Sequence, residues 1–179
     1  YFVLQQANVA EDGMMTASLT TTANIIDREH PDILKEGGLY TFKIRAREVV
    51  DPGSGLFGEE TTTSVTVVVT DVDDELPVFN RNSFTVPVPE DVGSDTPLPG
   101  LTLEVVDKDV SRNAEFTLTL ESLTPNTQGV FSVYPERAIG KTPVIIRVAD
   151  PERLDYENED MRNFEFNVVA ETNSGLQIK

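Results

Sequence analysis

Short segments in which apolar and polar residues alternate dominate this chain, and such alternation is typical of half-buried β-strands. The clearest example runs from Leu39 to Val50, where apolar side chains alternate with hydroxyl and basic ones. One face would carry Tyr40, Phe42, Ile44 and Ala46, and the other Thr41, Lys43, Arg45 and Arg47. The pattern predicts an antiparallel strand with one face on a core and the other in water.

A turn and a second strand follow this segment. Residues 51–55 read Asp-Pro-Gly-Ser-Gly, which is turn-forming chemistry. The stretch from Thr61 to Thr70 is rich in Val and Thr and places Val65, Val67 and Val69 on one face. The two predicted strands therefore form a hairpin.

After Pro77 the alternation starts afresh in six further segments. Their apolar positions are Phe84, Val86 and Val88; Leu101, Leu103 and Val105; Phe116, Leu118 and Leu120; Phe131 and Val133; Val144, Ile146 and Val148; and Phe164, Phe166 and Val168. Six or seven short strands within roughly 100 residues favour a Greek-key β-sandwich, with a β-barrel as the alternative. Because Pro87 and Pro89 lack an N–H, the first of these strands is expected at a sheet edge.

Two segments of the chain resemble each other, which indicates an internal repeat. Residues 25–29 read Ile-Ile-Asp-Arg-Glu and residues 153–157 read Arg-Leu-Asp-Tyr-Glu. Each precedes a strand with aromatic residues that ends near an alanine. On this register the first copy begins in mid-repeat and the second stops at Lys179 before its closing strand, so the chain holds about one and a half repeats.

The composition adds a strong acidic bias. The 179 residues include 31 Asp and Glu against 14 Lys and Arg, a formal net charge of −17. Nucleic acids and anionic membrane surfaces are disfavoured as partners, because binding a polyanion requires basic residues. No apolar run approaches a membrane-spanning length, and the absence of cysteine excludes disulfides and thiolate zinc sites. The 39% of hydrophobic residues suffices for a buried core.

Part of this acidity is clustered. Asp71, Asp73, Asp74 and Glu75 follow a predicted strand, and Asp107 and Asp109 follow another. A solvated acidic turn is the simplest interpretation of such a run. In a sandwich, however, strand ends from both repeats meet at the junction, where these acids and the Asp27 segment can converge. Many oxygen ligands without sulfur or imidazole suit calcium better than zinc or magnesium.

At this point the motifs resemble the extracellular repeats of the cadherin superfamily, over essentially the whole chain and of a non-classical type. Residues 71–79, Asp-Val-Asp-Asp-Glu-Leu-Pro-Val-Phe, look like the family's Asp-x-Asn-Asp-Asn-Ala-Pro-x-Phe linker. Residues 27–29 and 155–157 are similar to its Asp-Arg-Glu and Asp-Tyr-Glu motifs, and Glu90 to the glutamate of its x-Glu-x motif. Asp107-Lys108-Asp109 with Asn113 matches Asp-x-Asp and the downstream Asn. The resemblance implies tandem seven-stranded, immunoglobulin-like sandwiches, one spanning residues 1–76 and the next 77–179.

The resemblance also implies a junction that binds up to three calcium ions. Asp27 and Glu29 would bind the first two, Asp71 the second, and Asp74 would bridge them. Asp73, Asp107 and Asp109 would hold the third, with Asp109 also reaching the second. The backbone carbonyls of Val72, Glu75 and Asn113 would complete the shells. Glu90, Asp155 and Glu157 would form half of the next junction.

Some positions depart from the family pattern. Asp73 and Glu75 stand where the family has Asn, and both changes keep an oxygen ligand. At the strand end Ala170-Glu171-Thr172, the family usually has Ala-x-Asp, so a ligand position holds Thr172 with Glu171 one residue early. A weakened or altered third calcium site is therefore expected.

The sequence accordingly predicts a calcium-dependent cell–cell adhesion protein rather than an enzyme. Its repeats would lie on the extracellular side of the plasma membrane, in the ectodomain of a single-pass protein, without touching the membrane themselves. Partners would be other cadherin ectodomains, homophilic or heterophilic, bound through repeats outside this sequence. The alternatives are a cadherin-like receptor module for a heterophilic protein ligand and a calcium-binding carbohydrate module.

Overall fold

A computed structural model of the chain describes residues 1–5, 8–9 and 14–179. The chain divides into two compact units, Tyr1–Thr70 and Asp71–Lys179. Within the described residues, the helices are all too short and polar to cross a bilayer.

Unit 1, residues 1–70, is built around one long hairpin. Its elements are β1 (Phe2–Leu4), β2 (Asn8–Val9), β3 (Met15–Thr16), β4 (Leu19–Thr21), α1 (Pro31–Lys35), β5 (Leu39–Asp51) and β6 (Leu56–Val68). All paired strands are antiparallel: β1 with β4, β2 with β3, and β5 with β6. The predicted hairpin is confirmed, but β6 begins at Leu56 rather than near Thr61. The turn of residues 52–55 is tight enough for Asp51 to pair with Leu56, so pairing starts at once.

Aromatic side chains give unit 1 its apolar contacts. The ring of Phe2 lies 5.2 Å from that of Tyr40 and 5.0 Å from that of Phe42, both edge-to-face. Such pairs stabilise by more than the area they bury. Helix α1 begins after His30, whose Nδ1 accepts a hydrogen bond from the Asp32 N–H at 3.3 Å. Its single turn buries Ile33.

Unit 2, residues 71–179, is a sandwich of two four-stranded sheets. Its strands are β7 (Val78–Phe79), β8 (Leu103–Val106), β9 (Glu115–Ser122), β10 (Phe131–Tyr134), β11 (Arg137–Ile139), β12 (Lys141–Val148), β13 (Phe166–Thr172) and β14 (Gln177–Ile178). One sheet has the order β10-β12-β8-β7 and the other β11-β9-β13-β14, with antiparallel neighbours throughout. Four short 3₁₀ helices lie at residues Ser111–Ala114, Pro125–Thr127, Pro151–Arg153 and Glu159–Met161. The predicted all-β sandwich is confirmed, and the barrel alternative is wrong because the two sheets are separate.

The core of unit 2 lies between the sheets and follows the predicted alternation. It consists of inward-facing positions, with Leu103 and Val105 from β8, Phe116 and Leu118 from β9, Val144, Ile146 and Val148 from β12, and Val168 and Ala170 from β13. Burying a side chain of this size contributes about 1.5–3 kcal/mol. Strands β7, β11 and β14 are short elements that the alternation did not predict.

One predicted strand is wrong. Residues 81–89 make no β-ladder, although Phe84, Val86 and Val88 still pack against the core in alternation. Pro87 and Pro89 have no N–H to donate, so the segment keeps its apolar face without strand hydrogen bonds. Residues 81–89 therefore cover the core from its edge, as expected, but they do not form a strand.

Candidate metal centre

Pairing between β7 and β8 brings two acidic segments of unit 2 together. The strands are antiparallel, with Val78 opposite Val106, so the residues that precede β7 lie beside those that follow β8. Residues 71–75 precede β7 and residues 107–109 follow β8. The next residues form the 3₁₀ helix Ser111–Ala114, which carries Asn113. The pairing of β7 with β8 thus brings together residues that are more than 30 positions apart in the sequence.

In each of four carboxylates, one oxygen is held by an N–H donor of the same unit. Oδ2 of Asp71 accepts from the Val110 N–H at 3.0 Å and from Nδ2 of Asn113 at 2.8 Å. Oδ1 of Asp107 accepts from the Asp109 N–H at 3.0 Å, and Oδ2 of Asp109 from the Glu75 N–H at 3.3 Å. The fourth is Asp73, whose Oδ2 accepts from the Ser174 N–H at 3.1 Å. These bonds fix the orientation of all four side chains.

The second oxygen of each carboxylate is buried. Within the described part of the chain, no hydrogen-bond donor reaches Oδ1 of Asp71, Oδ1 of Asp73, Oδ2 of Asp107 or Oδ1 of Asp109. Asp107 and Asp109 are only 4% and 6% exposed. A buried charged oxygen without a partner costs several kcal/mol unless a cation or proton neutralises it. Four such atoms on two adjoining segments, residues 71–73 and 107–109, indicate a cation site.

The electrostatics of the cluster agree with this interpretation. Carboxylate oxygens of Asp71 and Asp109 lie within 4.8 Å of each other. Burial, with a smaller contribution from the charges of neighbouring aspartates, raises the pKa of Asp109 to about 6 against the hydrogen bond from the Glu75 N–H. Burial likewise raises the pKa of Asp107, with the charges of Asp73, Glu75 and Asp71 adding to the effect. Without a cation, the cluster therefore favours protonation.

The donor set fits calcium. All four open atoms are carboxylate oxygens, hard ligands that suit calcium with its six to eight flexible oxygen contacts. The side chain of Glu75 is paired with Lys108, with Oε2 to Nζ at 3.2 Å, which leaves its backbone carbonyl for the predicted role. The side chains of Val72 and Asp74 are exposed. The carbonyl roles of Val72, Glu75 and Asn113 stay predictions.

Asp27 and Asp155 occupy equivalent local turns in the two units. Oδ1 of Asp27 accepts from the N–H of Glu29 at 2.9 Å and of His30 at 3.1 Å. Oδ1 of Asp155 accepts from the N–H groups of Glu157 and Asn158 at 3.1 and 3.2 Å. Such Asx turns are formed by the aspartate with its own following backbone. The internal repeat inferred from sequence thus has matching local structure.

A second acidic group lies in unit 2. Carboxylate oxygens of Glu90, Asp155 and Glu157 lie within 4.8 Å of one another. The Tyr156 N–H donates to Oε2 of Glu90 at 2.7 Å, which joins the segment after residue 81 to the Asp155 turn. The three residues predicted to serve together are therefore brought together, although Glu90 and Glu157 are exposed.

The two doubtful ligands, Glu171 and Thr172, make other contacts. Thr172 is 3% exposed, and its hydroxyl hydrogen-bonds to Oγ of Ser174 at 2.7 Å and accepts from the Leu176 N–H at 3.3 Å. The carboxylate of Glu171 accepts from Nε2 of Gln177. Ser174, which holds Asp73, was not predicted from the sequence. The only local signal for it is the turn-forming Asn-Ser-Gly at residues 173–175.

Comparison with curated proteins gives relatives of one kind. The chain is 39% identical to cadherin-87A of Drosophila melanogaster over 154 residues, which cover 84% of the chain and 7% of that protein. It is 31% identical to human cadherin-23 over 83% of the chain and 4% of the relative. For human desmocollin-2 the identity is 30%, over 87% of the chain and 16% of the relative. The chain therefore spans less than a fifth of the length of these relatives.

Solved structures give the same answer for the fold. The extracellular domains 1–5 of protocadherin gamma B2 match 99% of the chain and 29% of that structure, with a TM-score of 0.74 at 24% identity. Domains 1–4 of protocadherin gamma B7 match 99% of the chain and 37% of that structure, with a TM-score of 0.68 at 26% identity. No protein-family model matches the chain. The resemblance found from the motifs is confirmed: the chain belongs to the cadherin superfamily and is built of the extracellular repeats of a non-classical cadherin.

Proposed function

We propose that this chain is a calcium-stiffened segment of a cell-adhesion ectodomain, in which the junction between its repeats binds up to three calcium ions. Cadherins are adhesion proteins and not enzymes, and calcium binding is characteristic of the family. Their repeats are typically extracellular parts of membrane proteins. The proposal for this chain concerns its particular ligands, their mechanical effect and its placement outside the plasma membrane.

The observation that carries the proposal is the set of four buried carboxylate oxygens without donors, on Asp71, Asp73, Asp107 and Asp109. Each of these side chains is already oriented by an N–H bond to its other oxygen. A site of this kind needs little reorganisation to bind an ion, so the entropy lost on binding is small. A solvated acidic turn would instead expose its carboxylates to water.

The further ligands are assigned by resemblance to the family. Residues 1–76 would be one repeat and residues 77–179 the next, with residues 71–75 as the linker between them. Asp27 and Glu29 of the first repeat would share ions with Asp71, Asp74 and Asp109. Backbone carbonyls of Val72, Glu75 and Asn113 would complete the shells. Glu90, Asp155 and Glu157 would supply half of another junction.

The mechanical consequence follows from charge. Without metal, the acids of the linker repel one another, and the repeats move as separate bodies. With metal, ligands from both repeats are tied to common ions, and three Ca²⁺ would bring the formal net charge from −17 to about −11. Calcium would thus stiffen the linker and set the curvature of the ectodomain.

Calorimetry combined with small-angle scattering tests the proposal. We expect binding at about 1 mM calcium, within the range of extracellular modules, together with a narrower distribution of shapes. Asp74→Ala should abolish the narrowing, whereas Glu136→Ala, which removes an exposed acid outside the cluster, should leave it intact. The absence of calcium binding, or binding that leaves the shape distribution unchanged, would refute the mechanism.

Adhesion itself is proposed to use other cadherin ectodomains as partners, through repeats beyond this sequence. Heterophilic recognition by the sandwich faces remains the second candidate, since both sheets of unit 2 present one face away from the core. A binding screen of the whole chain against cell-surface proteins separates the two: capture of an unrelated receptor favours the second, and capture of cadherins the first.

A further inference from the structure

The turn that joins β13 to β14 reaches the calcium cluster. The Ser174 N–H donates to Oδ2 of Asp73 across a separation of 101 residues in the sequence. Asp71, Asp107 and Asp109 take their donors from residues 75 and 109–113, next to the cluster. Among the four carboxylates, Asp73 alone is oriented from the far end of the repeat.

The geometry of this turn is closely defined. The Gly175 N–H donates to the Thr172 carbonyl at 3.0 Å, and the Thr172 N–H donates to the Leu176 carbonyl at 2.8 Å. Gly175 has φ +86°, in the left-handed region where glycine is favoured. This is the pattern of a three-residue hairpin loop with a glycine bulge. Ser174 lies at the centre of this loop, so the direction of its N–H is set by the conformation of the turn.

The buried hydroxyl of Thr172 holds both sides of that turn. It hydrogen-bonds to Oγ of Ser174 at 2.7 Å and accepts from the Leu176 N–H at 3.3 Å. A second tether comes from Nδ2 of Asn173, which donates to the Arg112 carbonyl at 3.4 Å. Arg112 belongs to the 3₁₀ helix that carries Asn113, the side-chain donor to Asp71. The turn therefore contacts Asp73 and also the 3₁₀ helix whose Asn113 orients Asp71.

We propose that Thr172 is a positioning residue of the calcium site: it acts through the turn, by fixing the Ser174 N–H on Asp73, and not as a ligand. The inference rests on the proposed function, since it assigns a role within the same site. The Thr172 hydroxyl is already engaged by two partners within the turn, Oγ of Ser174 and the Leu176 N–H. The open oxygen, Oδ1 of Asp73, stays directed into the buried cluster only while Oδ2 is held.

Loss of the hydrogen bond from the Ser174 N–H to Asp73 is expected to lower the affinity for calcium. Without the hydroxyl, the turn is free to open and Asp73 to rotate towards water, so binding must first restore its orientation. One hydrogen bond of this kind corresponds to about a fivefold change in an equilibrium constant. We expect Thr172→Val to weaken calcium binding about fivefold and Thr172→Ser, which keeps the hydroxyl, to retain wild-type affinity.

The matched control is Thr119→Val, the same substitution at an exposed position of β9 in the same sheet. Calcium affinity would be measured by calorimetry on the whole chain, well below the unfolding temperature determined in chelator. A variant that merely loosens the fold would lower that temperature and leave the affinity of the folded chain unchanged. Loss of affinity in Thr172→Val alone, restored in Thr172→Ser, supports the positioning role.

A double-mutant cycle tests whether Thr172 affects calcium binding through Asp73. If Thr172 acts through Asp73, then Thr172→Val adds nothing to the affinity loss already caused by Asp73→Ala. Additive losses would overturn the inference. A second measurement needs no change at Thr172: the amide proton signal of Ser174 should shift on Asp73→Ala, and an unshifted signal would also overturn it.

The outcomes separate this inference from the proposed function. A wild-type chain that binds no calcium refutes both. A wild-type chain that binds calcium with the same affinity as Thr172→Val refutes the positioning role and leaves the calcium site standing.

Discussion

Replacing Asp109 by asparagine should stabilise the metal-free protein and at the same time weaken its response to calcium. Asp109 is 6% exposed, one of its oxygens has no donor among the described residues, and its neighbours are acids. Asparagine keeps an oxygen for the Glu75 N–H and replaces the open oxygen with an amide that can donate to the acids around it. It removes the charge that calcium would neutralise.

The magnitude comes from the pKa of Asp109, which folding raises from 3.8 to about 6. The folded chain thus binds this proton more tightly than the unfolded chain, so the associated stability is complete below about pH 4 and is lost as the pH rises through 6. A shift of this size corresponds to roughly 3 kcal/mol at pH 7. We expect Asp109→Asn to recover about 2 kcal/mol of this, because the amide is an imperfect copy of the protonated acid.

In calcium, we expect the wild type to be more stable than Asp109→Asn, the reverse of the order in chelator. At a concentration about 100 times the dissociation constant, one ion stabilises the wild type by about 2.7 kcal/mol. Asp109→Asn should lose most of that gain. Urea unfolding at pH 7, in chelator and in about 100 mM calcium, which is about a hundred times the expected dissociation constant of ~1 mM, measures all four free energies. Asp160→Asn, an exposed position, is the charge-matched control and should stay within about 0.5 kcal/mol of wild type in both conditions.

Two results would contradict this reasoning. If Asp109→Asn is less stable than the wild type in chelator, the buried charge is not unfavourable and the cluster is not strained by its acids. If the variant keeps the full calcium-dependent gain, Asp109 is not a ligand. The metal-free wild type must also gain stability as the pH falls from 7 to 5, with a shallower slope in the variant.

Three further predictions concern other parts of unit 2. Calcium affinity should fall as the pH drops through about 6, because a proton competes with the ion at Asp109; a calorimetric titration at pH 5 with unchanged affinity would speak against it. Arg153→Ala should cost roughly 2 kcal/mol of unfolding free energy, because the guanidinium donates to the Gln128 and Asn126 carbonyls, while leaving calcium affinity unchanged. Terbium bound at Glu90, Asp155 and Glu157 should emit when Tyr156 is excited, and Tyr156→Phe should remove that component of the terbium emission while Tyr134→Phe does not.

Much of the fold could be predicted from the sequence, because alternation with a period of two indicates which side chains face a core. The segments around Phe116, Val144 and Val168 became central strands of the sandwich, as predicted. The segment around Val86 did not, because alternation reports the burial of side chains and says nothing of backbone donors. Two prolines were enough to remove the ladder while the apolar face stayed in place.

The candidate site was predicted in the same uneven way. Asp71, Asp73, Asp107 and Asp109 could be proposed from the sequence because they form two short acidic clusters, each directly after a predicted strand. Ser174 and the side chain of Asn113 were missed, since an amide donor from a distant turn leaves no charge pattern in the sequence. The roles of Thr172 and Glu171 could not be inferred from residue type, because a hydroxyl or carboxylate can serve a metal or its own turn equally well.

The sequence by itself determined which residues are apolar in alternation, where the chain turns, that it carries an excess of acid, and which family its motifs resemble. These are properties of neighbouring residues, and covalent connection alone brings neighbours together. The tertiary structure decided which oxygen of each aspartate is held and which is left open. That depends on the register between β7 and β8 and on a turn 101 residues from Asp73, where donors and burial are set by packing between segments distant along the chain.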